Sequence, residues 1–273
     1  MKSQQKFSKN TISLKTKSFL GGAIIGSLGG LIGLGGAEFR LPFLVGILKI
    51  DTLHAIILNL LISLVTVIFA LAFRGVDAHI FSYGYIVLNL LLGTLAGAWI
   101  GVNFATSVNK ERLNTYIFYL LLFLSIVLFS HIFLDFTQTI KLPYILQLSI
   151  GFITGLGIGI ISSLLGVAGG ELLIPTIILL YGTDIKLAGT LSLAISLPTL
   201  IVSLFKYHKN KRLIEVLTFK NIIIFMTLGS ILGAFLGSLL FGMVNALFLE
   251  AGLSFILLLS AYKLFKKNKN LTS

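Results

Sequence analysis

Two short runs in this sequence carry the residue types that could do chemistry. They are GLGGAEFRLP, Gly33 to Pro42, and GVAGGELLIP, Gly166 to Pro175. Each sets a glutamate, Glu38 or Glu171, among apolar neighbours. A carboxylate in the middle of an apolar span costs roughly 2.5–3.5 kcal/mol on insertion scales. Burial also raises its pKa, so that it takes up a proton near neutral pH. Glu38 and Glu171 are therefore candidates for proton carriage. The glycines around them (Gly33, Gly35 and Gly36; Gly166, Gly169 and Gly170) weaken a helix, and Pro42 and Pro175 each remove a backbone donor. Both runs predict a helix break, with the prolines as part of it. A broken helix frees backbone amides, and the N-terminus of a half-helix attracts anions. Arg40 lies in the first run only, facing Leu173 in the second. It is expected to pair with a glutamate or to bind an anion.

A second polar set follows each run. Asn59, Ser63 and Thr66 are spaced four and three apart and share one helical face, and Ser192, Ser196 and Thr199 repeat the pattern with Pro198 beside them. Uncharged hydroxyls and amides can donate to the oxygens of an anion, or can tie helices together. Both readings stand at this level. His54, His79, His131 and His208 show no metal-ligand spacing, and cysteine is absent. With no nucleophile–base cluster and no nucleotide-binding loop, the expectation is a non-enzyme without metal or cofactor.

The elements that must hold these residues are membrane helices. The chain of 273 residues is 56% hydrophobic and 11% charged, against roughly 25% charged in soluble domains. Its mean hydropathy is +1.03. Apolar segments run over about 18–34, 52–73, 82–106, 112–134, 144–165, 184–205, 220–242 and 246–265, with shorter pieces at 38–49 and 171–182. Many approach the ~20 residues that cross a bilayer, and there is no alternation of a β-barrel kind. The net charge of +12 sits in three flanking segments rather than in a nucleic-acid patch. Lys2 to Lys17, Lys206 to Lys220 and Lys263 to Lys269 hold most of it, which predicts that both termini are cytoplasmic.

The chain repeats itself. At one constant offset Gly33, Gly36, Glu38 and Pro42 meet Gly166, Gly169, Glu171 and Pro175, and Ser63 and Thr66 meet Ser196 and Thr199. At a slightly longer offset Gly93, Gly97 and Gly101 meet Gly229, Gly233 and Gly237. These spaced glycines, with Gly22, Gly26 and Gly30, favour close helix contact. The expected fold is an all-α polytopic membrane protein of two homologous repeats, about four spans each, with a broken or half-helix at each glycine run. Its parts are a basic tail (1–17), repeat 1 (18–134), a linker (135–143), repeat 2 (144–265) and a second basic tail (266–273). Eight crossings would make the repeats parallel and ten would make them inverted, and Lys and Arg placement favours neither. The short pieces, about twelve residues or roughly 18 Å of helix, favour eight spans plus two half-helices.

The paired motifs, each followed by a helix opening near an alanine (Ala55, Ala188), resemble the sulfite exporter TauE/SafE family from Gly21 to Phe265. Ala37 stands where the second copy has Gly170, and Arg40 is unusual at an apolar position. The resemblance implies a bacterial inner-membrane transporter of sulfite, organosulfonates or related organic anions. The expected function is a proton-linked secondary transporter whose partners are a small anion and the lipid bilayer, with no nucleic acid and with a homo-oligomer left open. The rival readings are a passive anion channel and a non-transporting assembly or scaffold protein.

Overall fold

The computed structural model describes residues 2–32, 36–74, 82–109, 142–183 and 185–239, with scattered positions between 111 and 126. The described residues form helices and turns without a strand. In chain order they are α1 (Lys2–Ile32), α2 (Ala37–Gly46), α3 (Thr52–Arg74), α4 (Gly84–Ser107), α5 (Tyr144–Leu165), α6 (Gly170–Tyr181), α7 (Ile185–Lys209), α8 (Arg212–Val216) and α9 (Lys220–Leu239). A 3-10 turn, Leu217–Phe219, joins the last two. Among the described residues five stretches are long and apolar enough to cross a bilayer: Thr52–Ala72, Gly84–Ser107, Tyr144–Leu165, Leu187–Lys209 and Arg212–Gly237. Of the expected segments, 246–265 lies outside the described residues and 112–134 is described only in part. Helices α2 and α6, of 10 and 12 residues, reach only about 15–18 Å.

The body is apolar outside as well as inside, as a bilayer requires. Leu92 on α4, Ile153 on α5, Phe205 on α7 and Leu236 on α9 are all exposed. Within it the two most extensive contacts are α1 on α9 and α4 on α5. Each joins a helix of the first half of the chain to one of the second. Glycines make both seams. A Cβ added at Gly22 or Gly26 would run into the backbone of Met226 or Ser230, and one at Gly229 or Gly233 into Phe19 or Ala23. In the other seam Gly93, Gly97 and Gly159 would strike the backbone of Phe152, Leu156 and Thr94 in the same way. Backbones this close exchange dispersion contacts along their whole length, which is what holds helices together where water supplies no drive.

These contacts also give direction. Rising numbers meet rising numbers in both seams, so α1 is parallel to α9 and α4 to α5. Helix α4 is parallel to α7 as well, through Thr94 with Thr199, Trp99 with Lys206 and Thr106 with Asn210. Helix α3 starts where α9 does, with His54 against Glu215 at 3.0 Å and against the Phe219 ring. The short helices turn back. Phe43 of α2 reaches Gly21 of α1, and Tyr181 of α6 reaches Gly151 of α5. So α1, α3 and α9 run one way and α4, α5 and α7 the other, with α2 and α6 folded back along α1 and α5.

The seams yield a stability prediction. Gly97→Leu and Gly26→Val should each lower the melting temperature of the detergent-purified protein, by about 1–3 kcal/mol of overpacking. Gly157, on the same helix as Gly159 but facing open space, should accept alanine at no cost. Thermal unfolding followed by circular dichroism checks the contrast.

Candidate functional site

Each glycine run forms the tip of a hairpin. Helix α1 ends at Ile32, and the described chain resumes at Gly36 with φ 68° before α2 begins at Ala37. Helix α5 ends at Leu165, and Gly166 and Gly169, at φ 69° and 81°, bracket Val167 and Ala168 before α6 begins at Gly170. Only glycine adopts these left-handed angles cheaply. Space demands it too, since a Cβ at Gly36 would meet the carbonyl of Ile25 and one at Gly166 that of Ile56.

The prolines do not break the helices. Pro42 and Pro175 lie inside α2 and α6, at the sixth residue of each. A positive φ ends a right-handed helix outright, whereas proline's fixed φ is itself helical and its ring removes one hydrogen bond. The bonds removed are those to the carbonyls of Glu38 and Glu171, four residues earlier. Both glutamates occupy the second position of their short helix. Their side chains, and Gly33 and Gly35 entirely, lie outside what the structure describes.

Side chains also donate to carbonyls at the tips. Asn59 Nδ2 donates to the Ala37 carbonyl at 2.7 Å and to the Leu165 carbonyl at 3.5 Å. One amide on α3 thus touches the first glycine run and the residue just before the second, which a sequence separation of this size conceals. Ser196 Oγ donates to the Ala168 carbonyl at 2.6 Å, and Ser162 Oγ to that of Val167. Both tips therefore lie against the midsections of α3 and α7 rather than at their ends.

Arg40 occupies the centre of this layer and is fully buried. Its Nη1 donates to Asn59 Oδ1 at 3.2 Å and to Ser63 Oγ at 2.9 Å, and its Nη2 to Ser230 Oγ on α9 at 3.4 Å. In the second half the matching position is Leu173, buried and apolar. Three of the sequence candidates bond backbone of their own helix. Thr66 donates to Ile62, Ser192 to Gly189 and Thr199 to Ile195, while Thr199 also shares a 2.9 Å bond with Thr94. Ser230, Thr94 and Ser162 are buried members of the layer that sequence reading left out. The offset that pairs Gly93 with Gly229 also pairs Thr94 with Ser230, and following it one residue further finds both. Chemically, the layer offers a fixed guanidinium and helix N-termini capped by glycine, with hydroxyls around them.

The family model Sulfite exporter TauE/SafE matches residues 2–129 and 150–272. No curated protein and no solved structure matches the chain.

Asn59 should be the costliest uncharged member of the layer to remove. Asn59→Ala removes a donor from the Ala37 and Leu165 carbonyls and an acceptor from the guanidinium, and should cost about 1–3 kcal/mol of stability. Ser192→Ala, which loses a bond within one helix, should stay within about 0.5 kcal/mol. Melting temperatures of the two variants in one detergent compare them directly.

Proposed function

We infer the function from one premise, that the chain belongs to the TauE/SafE sulfite exporter family. Its members are membrane transporters rather than enzymes, and this chain is a multi-pass membrane protein. The reading the site supports best is a secondary transporter of small oxyanions, namely sulfite, an organosulfonate or a related organic anion, linked to protons. The observation that carries it is the fully buried Arg40 guanidinium bonded to Asn59, the amide that reaches both hairpins.

A guanidinium taken out of water is expensive, and Asn59, Ser63 and Ser230 each accept a hydrogen bond from this one. Its planar fork matches the oxygens of a sulfite, sulfonate or carboxylate. The first-turn amides of α2 and α6, capped by Gly36 and Gly169 without any side-chain acceptor, add partial positive charge from two directions. An anion arriving here meets donors already in place. Ser63, Ser196 and Asn59 hold those donors and complete the lining.

The helix directions support an inverted arrangement of the two repeats rather than the parallel one that eight full crossings would give, because α1 with α2 and α5 with α6 fold back as hairpins. Helices α1, α3 and α4 each run opposite to their counterparts α5, α7 and α9, and the two hairpins enter from opposite ends to meet at their tips. Secondary transporters built from inverted repeats place the substrate where the repeats meet and alternate access by rocking one repeat against the other. Glu38 and Glu171, in the first turns of α2 and α6, are the groups proposed to carry the coupling proton. The basic segments support a bacterial inner-membrane location with both termini in the cytoplasm.

Purified protein in proteoliposomes, offered sulfite, sulfate, sulfonates and small carboxylates with and without a pH gradient, tests this reading. Accumulation of at least one anion above its outside concentration is expected, driven by the gradient. Flux that only equilibrates the anion would make the protein a channel, and no flux with any of them would remove the anion reading. Glu171→Gln should abolish gradient-driven accumulation yet keep exchange at equal concentrations. Unchanged accumulation in Glu38→Gln, Glu171→Gln and the double variant would exclude both as proton carriers.

A further inference from the structure

The polar face of α7 continues well past the central layer. Ser192, Ser196, Thr199, Ser203, Lys206 and Asn210 follow one another at spacings of four, three, four, three and four. That rhythm keeps all six on one side of the helix. The first four are buried hydroxyls, and Lys206 is only 9% exposed. The stripe passes the second hairpin, where Ser196 holds the Ala168 carbonyl, and leads to the basic segment beyond Asn210. In the first repeat it stops at Thr66. Ala70 and Phe73 stand on α3 where Ser203 and Lys206 stand on α7.

Helix α4 packs along this face. Thr94 bonds Thr199 and Asn210 bonds Thr106, and between those two ties the Lys206 ammonium lies 3.7 Å from the centroid of the Trp99 ring. An indole face attracts a cation through its quadrupole and brings no negative charge to cancel it. Among the described residues no oxygen accepts a hydrogen bond from this ammonium. The hydroxyls of the stripe differ, since each already donates to a carbonyl: Ser192 to Gly189, Ser196 to Ala168, Thr199 to Ile195 and Ser203 to Thr199. Lys206 is the charged member of the stripe, and its three donors are uncommitted. An ammonium held this deep without a counter-charge is costly unless something pairs with it.

We propose that Lys206 forms a second anion station between the central layer and the basic segment, where its ammonium receives an oxyanion while the Trp99 ring holds it in place. The proposal rests on the anion-transport reading above. Ten residues separate Ser196 from Lys206, roughly 15 Å of helix, so the station and the hairpin tip are different places. Its ligand is the travelling anion itself, a sulfite, sulfonate or small carboxylate. An ammonium is a compact point charge with rotating donors and demands no planar, two-pronged match. The station therefore discriminates among oxyanions less than a guanidinium does, as suits a stop on a route. With Ala70 and Phe73 in the first repeat, only one of the two polar faces carries such a stop.

Trp99 is the chain's one tryptophan, so its fluorescence reports on this place directly. Full-length protein in detergent is titrated with sulfite, sulfate, a short alkyl sulfonate and acetate at constant ionic strength. A saturable change in emission is expected with at least one anion. Lys206→Met, which keeps the length of the stem and removes the charge, should lose it. Arg40→Gln should keep it, because that residue belongs to the other site. In proteoliposomes Lys206→Met should raise KM about three- to tenfold. Lys209→Gln, which removes an exposed charge one turn end away, should stay within about twofold of wild type. Both KM measurements are made in phosphatidylcholine vesicles with and without phosphatidylglycerol, and the same result is expected in each. The station is wrong if no anion changes the wild-type emission saturably, a measurement that requires no variant to fold. It is equally wrong if Lys206→Met retains the change or the wild-type KM, if Arg40→Gln loses the change, or if Lys209→Gln matches Lys206→Met. An effect of Lys206→Met confined to vesicles with phosphatidylglycerol would assign the ammonium to a lipid phosphate and overturn the station as well. Unchanged KM in Arg40→Gln would remove the central site alone, leaving the station to stand on its titration.

Discussion

A chain that reverses direction inside an apolar body leaves backbone carbonyls and amides with no water to meet them. This structure turns twice in that way, at Gly36 and at Gly166 to Gly169, and each reversal is tolerable only because protein groups replace the missing solvent. Asn59 takes one carbonyl from each tip, and Ser196 and Ser162 take two more. The polar layer of α3 and α7 therefore exists first to complete the backbone. The anion reading proposed above draws on the same placement, since the groups that meet the backbone at the two tips lie in one small region.

The two halves solve the same problem differently. The first secures its returning helix at the inner end, where Arg40 on α2 bonds to α3 and α9. The second has Leu173 there and secures α6 at the outer end instead. Tyr181 meets Asn89 of α4 at 2.7 Å, and Gln147 of α5 donates to the Leu180 carbonyl. Both hairpins are bonded at their tips, and the second is held near its exit as well.

Much of this was readable in advance. Spaced glycines are unambiguous in a membrane chain because few other roles require them at every fourth position, and the seams fall where Gly22, Gly26, Gly93 and Gly97 pointed. The glycine runs were equally readable as places where the helix stops. The role of proline was not, because residue type alone cannot tell a proline that ends a helix from one accommodated inside it. Pairwise contacts between distant segments were also hidden. Asn59 was recognisable as one of three residues on a helical face, but nothing in its neighbourhood says that it spans both tips. Ser230 and Thr94 were overlooked for a simpler reason. Serine and threonine beside a packing glycine look like more small residues for the seam, and only the partner across it reveals the hydroxyl's use.

The exchanged pairing of α1 with α9 and of α4 with α5 reaches beyond the finished molecule into its synthesis. A ribosome releases the chain in order, at roughly 5–20 residues per second. Helix α5 follows α4 closely and finds its partner soon. Helix α1 emerges first and its partner almost last, so its glycine-lined face stays unmatched for roughly ten to forty seconds at those rates. During that interval the face must be held by lipid or by the insertion machinery, and the Arg40 layer is open to whatever surrounds it. The α1–α9 seam is therefore a late event: when α9 arrives it closes, and Ser230 reaches the guanidinium.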